Sequence, residues 1–318
     1  MKKNEKLYIE TPLYRTQGFS IEGKDLSFKM EAYQPTGSFK IRGVEYACRD
    51  ALAKGATALL SSSGGNAGLA VAYAGYRLGV PVTVVLPTTS AAETISKLES
   101  LNSEVIIAGD VWDESHEYCL ELCEKRSDIA YIPPFDHPKL WEGHATMIDE
   151  LAVQCEEQPD LIVLSVGGGG LLCGVIEGLV RNGWQDTAVI AVETIGADSL
   201  YQTWLAGHPV TLDRIDSLAT CLGAKRVADK AWEYVNKYNV TPCVVEDARA
   251  VSACLRFADE MRVLVEPACG AALAVVLDKL DVLAPYKNIV AIACGGANVS
   301  LSLLERWREM FDYYPGNK

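Results

Sequence analysis

Residues 161–180 read LIVLSVGGGGLLCGVIEGLV, a six-residue apolar run, four consecutive glycines and a second apolar stretch of helical character. No other feature limits the fold as much. A short run rich in β-branched residues that ends in glycine and reopens as a helix is the strand–loop–helix step of an open α/β sheet. Glycines here let main-chain amides crowd round an anion with no side chain in the way, and the following helix presents its positive end. Gly167, Gly168, Gly169 and Gly170 are therefore candidate phosphate ligands, although the same run also fits a loop that only permits tight strand–helix packing. The dinucleotide fingerprint is not met, because Leu172 or Cys173 stands where its third glycine belongs. No Gly-Lys-Ser/Thr follows, as a nucleoside triphosphate loop would require.

The same alternation runs through the chain. Strands are expected at 57–60, 82–86, 105–108, 161–166, 189–192 and 289–293, and helices at 67–78, closed by Gly79 and Pro81, and at 114–125. With 318 residues and no repeats or low-complexity linkers, the chain is long enough for two α/β domains with substantial cores.

Two further segments carry chemistry. In PTGSFKIRG, Lys40 stands between Phe39 and a turn; an amine there can form a Schiff base with an aldehyde, and Phe39 can stack on a flat ring. Taken alone, Lys40 reads as an ordinary turn lysine. In LLSSSGGNAGLAVAY a strand enters a small polar loop and leaves as an Ala-rich helix. Ser61, Ser62, Ser63 and Asn66 suit a carboxylate at a helix N-terminus, and equally suit helix capping.

A Schiff-base lysine, a phosphate loop and a carboxylate loop together describe an amino acid bound to pyridoxal phosphate. The chain resembles the fold type two pyridoxal enzymes of the tryptophan synthase beta type, and among them the liver-type serine/threonine dehydratases. The segments SFKIRG, SSSGGNAG, YIPPFDHPKLWEGH, LSVGGGGLLCGV, VEPACGAAL and CGGANVSL follow that family's order. The resemblance implies two open twisted-sheet domains with the active site in the cleft between them. The large cofactor-binding domain would comprise 1–33 and 137–318, and the small inserted domain 34–136. It implies deamination of L-serine to pyruvate and of L-threonine to 2-oxobutyrate, each with loss of ammonia.

Residue by residue, the resemblance makes Lys40 the Schiff-base lysine and Phe39 the residue packed on the ring. Asn66 becomes the partner of the pyridoxal 3-oxygen, Gly167 to Gly170 the phosphate cup, and Cys294 the partner of the pyridine nitrogen. Ser62, Ser63, Gly65 and Asn66 form the substrate loop, with Ser63 catalytic beside Lys40. Cys221 falls where relatives place a small residue against the second face of the ring. Glu193, Ala197 and Ser199 match a segment that holds a monovalent cation such as potassium. A thiol, with an ordinary pKa of about 8.5, is too weak an acid to protonate the ring, which favours elimination over transamination. Ala67 stands where threonine deaminases and serine racemases usually carry histidine. The competing readings are a serine racemase, a cysteine synthase-like β-replacement enzyme, and a pyridoxal-binding protein without turnover.

A net charge of −13 argues against nucleic-acid and anionic-membrane partners. No secretory signal or membrane span is expected, and ten cysteines without short-range pairing motifs fit a reducing cytosol. The resemblance adds a homodimer. His116, His137, His144 and His208 form no metal motif.

Overall fold

The computed structural model describes residues 5–15 and 18–311; residues 1–4, 16, 17 and 312–318, including the start of the N-terminal reading and both ends of the expected large domain, lie outside the described residues. Ten strands and eleven α-helices occur among the described residues. In chain order they are β1 (Leu13–Arg15), β2 (Asp25–Lys29), α1 (Lys40–Ala53), β3 (Ala58–Ser61), α2 (Asn66–Leu78), β4 (Val82–Leu86), α3 (Ala92–Glu99) and β5 (Glu104–Ile107). There follow α4 (Trp112–Lys125), β6 (Ile129–Tyr131), α5 (Pro138–Gln154), β7 (Leu161–Ser165), α6 (Gly170–Arg181), β8 (Ala188–Thr194) and α7 (Ser199–Ala206). The chain continues through α8 (Asp229–Lys237), β9 (Val240–Val245), α9 (Asp247–Met261), α10 (Pro267–Leu277), β10 (Asn288–Ile292) and α11 (Leu301–Met310).

The strands form two sheets. One has the order β1-β2-β10-β7-β8-β9 and is parallel apart from β1; the other has the order β5-β4-β3-β6 and is parallel throughout. The six expected strands and two expected helices are present, with ends displaced by at most two residues. β8 runs further than expected because all seven of its residues are buried and its pairing with β9 continues through Glu193 and Thr194. β9 was not legible, since Pro242 interrupts it; as an edge strand it tolerates a residue without an amide hydrogen. β2, DLSFK, was hidden by its polar composition.

The core follows from the sequence patterns. α10, PACGAALAVVL, is apolar on every side and buried along its whole length, and packs on β7, β8, β9 and β10. α1 packs against both α2 and α5, so its first residue, Lys40, starts a helix shared by the two sheets' surroundings. Beneath it lies a buried ionic cluster. The Arg42 guanidinium meets Glu31 at 2.7 Å and Glu150 at 2.6 Å, and Lys29 meets Glu150 at 2.6 Å. Thr11 and Thr146 take further hydrogen bonds, so no charge is left uncompensated. The cluster ties β2, α1 and α5 together; removing one member would strand the others in a low-dielectric interior.

Candidate active site

The loop that ends in Lys40 is held by the segment that follows β10. The Phe39 amide donates to the Cys294 carbonyl at 3.0 Å, the Gly296 amide to the Gly37 carbonyl at 2.9 Å, and Ser38 bridges Gly295. This contact requires glycine: Gly295 has φ +155°, and a Cβ there would lie 2.5 Å from Ser38 Cβ. The consequence is that Cys294, 254 positions further along the chain, sits close enough to Lys40 to act on its charge, as does Cys221.

Lys40 keeps part of its surface accessible, yet protein crowds its amine, and desolvation lowers its pKa from 10.5 to about 8, opposed by Cys221 and Cys294. Its Nζ donates to the Pro134 carbonyl at 2.6 Å and lies 5.1 Å from the centre of the Phe39 ring. Phe39 in turn packs edge-on against His144, with centroids 4.8 Å apart. His144 is fully buried, has no partner for either ring nitrogen, and is held neutral by desolvation, then by the charges of Lys40 and Arg42.

The polar loop leaves β3 and enters α2. Ser63 Oγ accepts from the Gly65 amide at 3.2 Å, and a Cβ on Gly68 would fall 1.6 Å from the Ser63 carbonyl oxygen, so only glycine lets α2 approach this loop. Ser62 is buried, and its hydroxyl is engaged by the Tyr131 hydroxyl at 2.8 Å, which also meets His116 Nδ1 at 2.8 Å. Asn66 Nδ2 donates to the Glu266 carboxylate at 3.0 and 3.2 Å, while the buried Asn66 Oδ1 has no partner. Asn66 Nδ2 also lies 3.7 Å from Cys221 Sγ. A Cβ built on Gly65 would be 3.8 Å from Ser63 Oγ, 3.8 Å from Cys221 Sγ and 3.7 Å from Asn298 Nδ2, which locates the point where the loops meet.

The glycine run is tightly packed. A Cβ on Gly168 would lie 2.3 Å from the Phe135 ring and one on Gly167 3.0 Å from Leu222 Cα, and Gly169 has φ +90°. Tight packing therefore demands glycine. At the same time no protein acceptor among the described residues takes the amides of Gly167, Gly168 or Gly169, which precede the N-terminus of α6. Phe135 presses on the glycines while its neighbour Pro134 accepts from Lys40, so one dipeptide links the two features.

Cys294 is buried, and its thiol is pushed well above its usual range by a hydrogen bond to Cys269, then by burial and by Glu266. Cys221 opens onto solvent, but protein crowds its thiol; desolvation and then Glu266 push it well up. Glu193 lies near the end of β8, Ala197 in the turn after it and Ser199 at the start of α7. The Glu193 carboxylate accepts from the Leu200 and Tyr201 amides at 2.9 and 2.7 Å, burial raises its pKa to about 8, and the buried Ser199 hydroxyl has no partner. No group of three His, Cys, Asp or Glu side chains suited to a metal occurs among the described residues.

Three contributors were not singled out from the sequence: Glu266, Asn298 and Pro134. Glu266 carries a legible signal, an acid in an apolar run directly before a helix-starting proline, and it is 4% exposed. Pro134 acts through its carbonyl, which no side-chain pattern encodes.

The family model described as pyridoxal-phosphate dependent enzyme matches residues 5–295. The human L-serine dehydratase/L-threonine deaminase is 42% identical, with 97% of each chain covered. The L-serine dehydratase of Dictyostelium discoideum is also 42% identical, with 94% of this chain and 91% of that one covered. Among solved structures, a fungal L-serine ammonia-lyase from Rhizomucor miehei superposes with a TM-score of 0.90 at 33% identity, over 96% of this chain and 100% of that one. Maize serine racemase gives 0.84 at 26% identity, over 96% and 92%. A glycine loop with free amides, a desolvated lysine and a match across most of the length have one common explanation: this chain belongs to the pyridoxal-phosphate-dependent enzyme family.

Proposed function

We propose that the protein is an L-serine/L-threonine ammonia-lyase that releases pyruvate and ammonia from L-serine, and 2-oxobutyrate and ammonia from L-threonine. The observation that carries the reading is the desolvated Lys40 amine, with a pKa near 8, beside Cys294 in a chain 42% identical to an L-serine dehydratase/L-threonine deaminase.

The residues fit pyridoxal phosphate. Among the described residues the main-chain amides at 167–169 have no protein acceptor and the buried Ser38 hydroxyl has no partner, and the Lys40 amine has a lowered pKa. When bound, the cofactor supplies an aldehyde for amines and a ring that withdraws electrons from a substrate's α-carbon. Lys40 would hold it, with Gly167, Gly168, Gly169 and Gly170 at its phosphate, Asn66 at the ring oxygen and Cys294 at the ring nitrogen. Lys40 Nζ, whose pKa is lowered from 10.5 to about 8, gives up its proton far more readily than an ordinary lysine and is suited to remove the substrate α-proton. Ser63 and the amides of the Gly65–Asn66 turn would orient the substrate carboxylate. A thiol with a raised pKa keeps its proton and leaves no negative charge at the ring nitrogen, which suits prompt loss of the β-hydroxyl.

The same reading takes residues 34–136, which include the whole four-stranded sheet, as a small domain inserted into a large one. It takes Glu193, Ala197 and Ser199 as a monovalent-cation site, supported by the unpartnered Ser199 hydroxyl and the desolvated Glu193 carboxylate. A homodimer in a reducing cytosol completes it; all ten cysteines are free, and no described helix is long and apolar enough to cross a membrane. Pyruvate release from L-serine by the cofactor-loaded protein, and its loss in Lys40→Ala, tests the reading. Turnover retained by Lys40→Ala would contradict it.

A further inference from the structure

Glu266 touches two sides of the cleft at once. Its carboxylate accepts from Asn66 Nδ2 at 3.0 and 3.2 Å and from the Asn298 amide at 2.8 Å. Its own amide donates to the Gly295 carbonyl at 3.2 Å, and Pro267 behind it starts α10. The side chain is therefore fixed by main-chain contacts to the 294–298 segment and to a wholly buried helix.

A carboxylate can only accept, whereas an amide has one donating and one accepting end. Facing Glu266, Asn66 must turn its nitrogen inward. The reverse orientation would set Oδ1 about 3 Å from two carboxylate oxygens, a buried acceptor–acceptor contact with no hydrogen between them. The cost of the chosen orientation is visible: Asn66 Oδ1 is buried with no partner. The orientation is imposed from across the cleft.

We propose that Glu266 is a positioning residue for the cofactor site: its carboxylate fixes the Asn66 amide nitrogen on the cofactor side, so that this donor, and not the acceptor Oδ1, meets the ring oxygen. The inference rests on the reading of Asn66 as a cofactor ligand. Glutamine at 266 would preserve size and hydrogen bonding but could donate as well as accept, so Asn66 would no longer have a single preferred orientation.

The test is a double-mutant cycle on the affinity of the cofactor-free protein for pyridoxal phosphate, read by cofactor fluorescence, for wild type, Glu266→Gln, Asn66→Ala and the double variant. Thermal melting establishes that each is folded. Glu266→Gln is expected to weaken binding about tenfold, on the order of one charge-assisted hydrogen bond, and to have no further effect once Asn66 is alanine. Equal losses in both backgrounds, or no loss in wild type, would overturn the proposal. If Glu266→Gln does not fold, Glu266→Ala, which also removes the charge, takes its place in the cycle with the same expectation and the same overturning results. Wild-type protein that binds the cofactor but leaves L-serine unchanged would contradict the ammonia-lyase reading alone. Unchanged affinity in a Glu266→Gln protein that still releases pyruvate would contradict this inference alone.

Discussion

The Glu266 carboxylate lies 3.0 Å from Asn66 Nδ2, joining residues 200 positions apart. The bond connects the start of α2, which follows β3 of the four-stranded sheet, to the start of α10, which packs on the six-stranded one. Together with the backbone contact of Phe39 to Cys294, it closes the site from two directions.

Borohydride treatment of the cofactor-loaded protein is expected to fix the pyridoxyl group on Lys40, and Lys40→Ala should lose the adduct. Peptide mapping checks this. The label on another lysine would remove Lys40 from its assigned role.

The pH dependence of stability follows from the Lys40 pKa, lowered from 10.5 in the unfolded chain to about 8 in the cofactor-free fold. Between those values the unfolded state binds more protons, so stability rises with pH across roughly 8 to 10.5 and the penalty is full below pH 8. Lys40→Met should therefore raise the melting temperature of the cofactor-free protein most below pH 8, with the gain shrinking towards pH 10.5. A gain that is flat with pH would show that the Lys40 amine is not desolvated.

Glu193 has the opposite sign. Its folded pKa near 8 lies above the ordinary 4.5, so its contribution is full below pH 4.5 and is lost as pH rises through 8. A cation beside the carboxylate would offset that loss. Potassium is expected to raise the wild-type melting temperature more at pH 8 than at pH 5, and to do little for Glu193→Gln, as measured by melting with potassium against a bulky organic cation.

Much of the candidate site is legible in the sequence, and for a physical reason. Lys40, the Ser63–Asn66 loop and the 167–170 run sit where an element begins or ends, and glycine and small polar residues mark such places in sequence. Ser62 shows the limit: it shares its neighbours' composition, but its side chain is directed to Tyr131. Glu266 and Pro134 were missed because their importance lies in what they touch across the fold. β2 was missed because Lys29 looks like a surface residue until Glu150 is placed against it.

Arg42 supplies a stability test independent of the chemistry. Its guanidinium is fully buried against Glu31 and Glu150, and Arg42→Met would leave two carboxylates without their main partner. A loss of about 3–5 kcal/mol is expected in denaturant unfolding of the cofactor-free protein. A loss under about 1 kcal/mol would mean that the cluster repacks without cost.

The most direct test of the central claim follows pyruvate, ammonia and D-serine together, in one reaction of the cofactor-loaded protein with L-serine. The account predicts pyruvate and ammonia in equal amounts with D-serine a minor product. D-serine accumulating faster than pyruvate, or no consumption of L-serine by protein that has bound its cofactor, would contradict it.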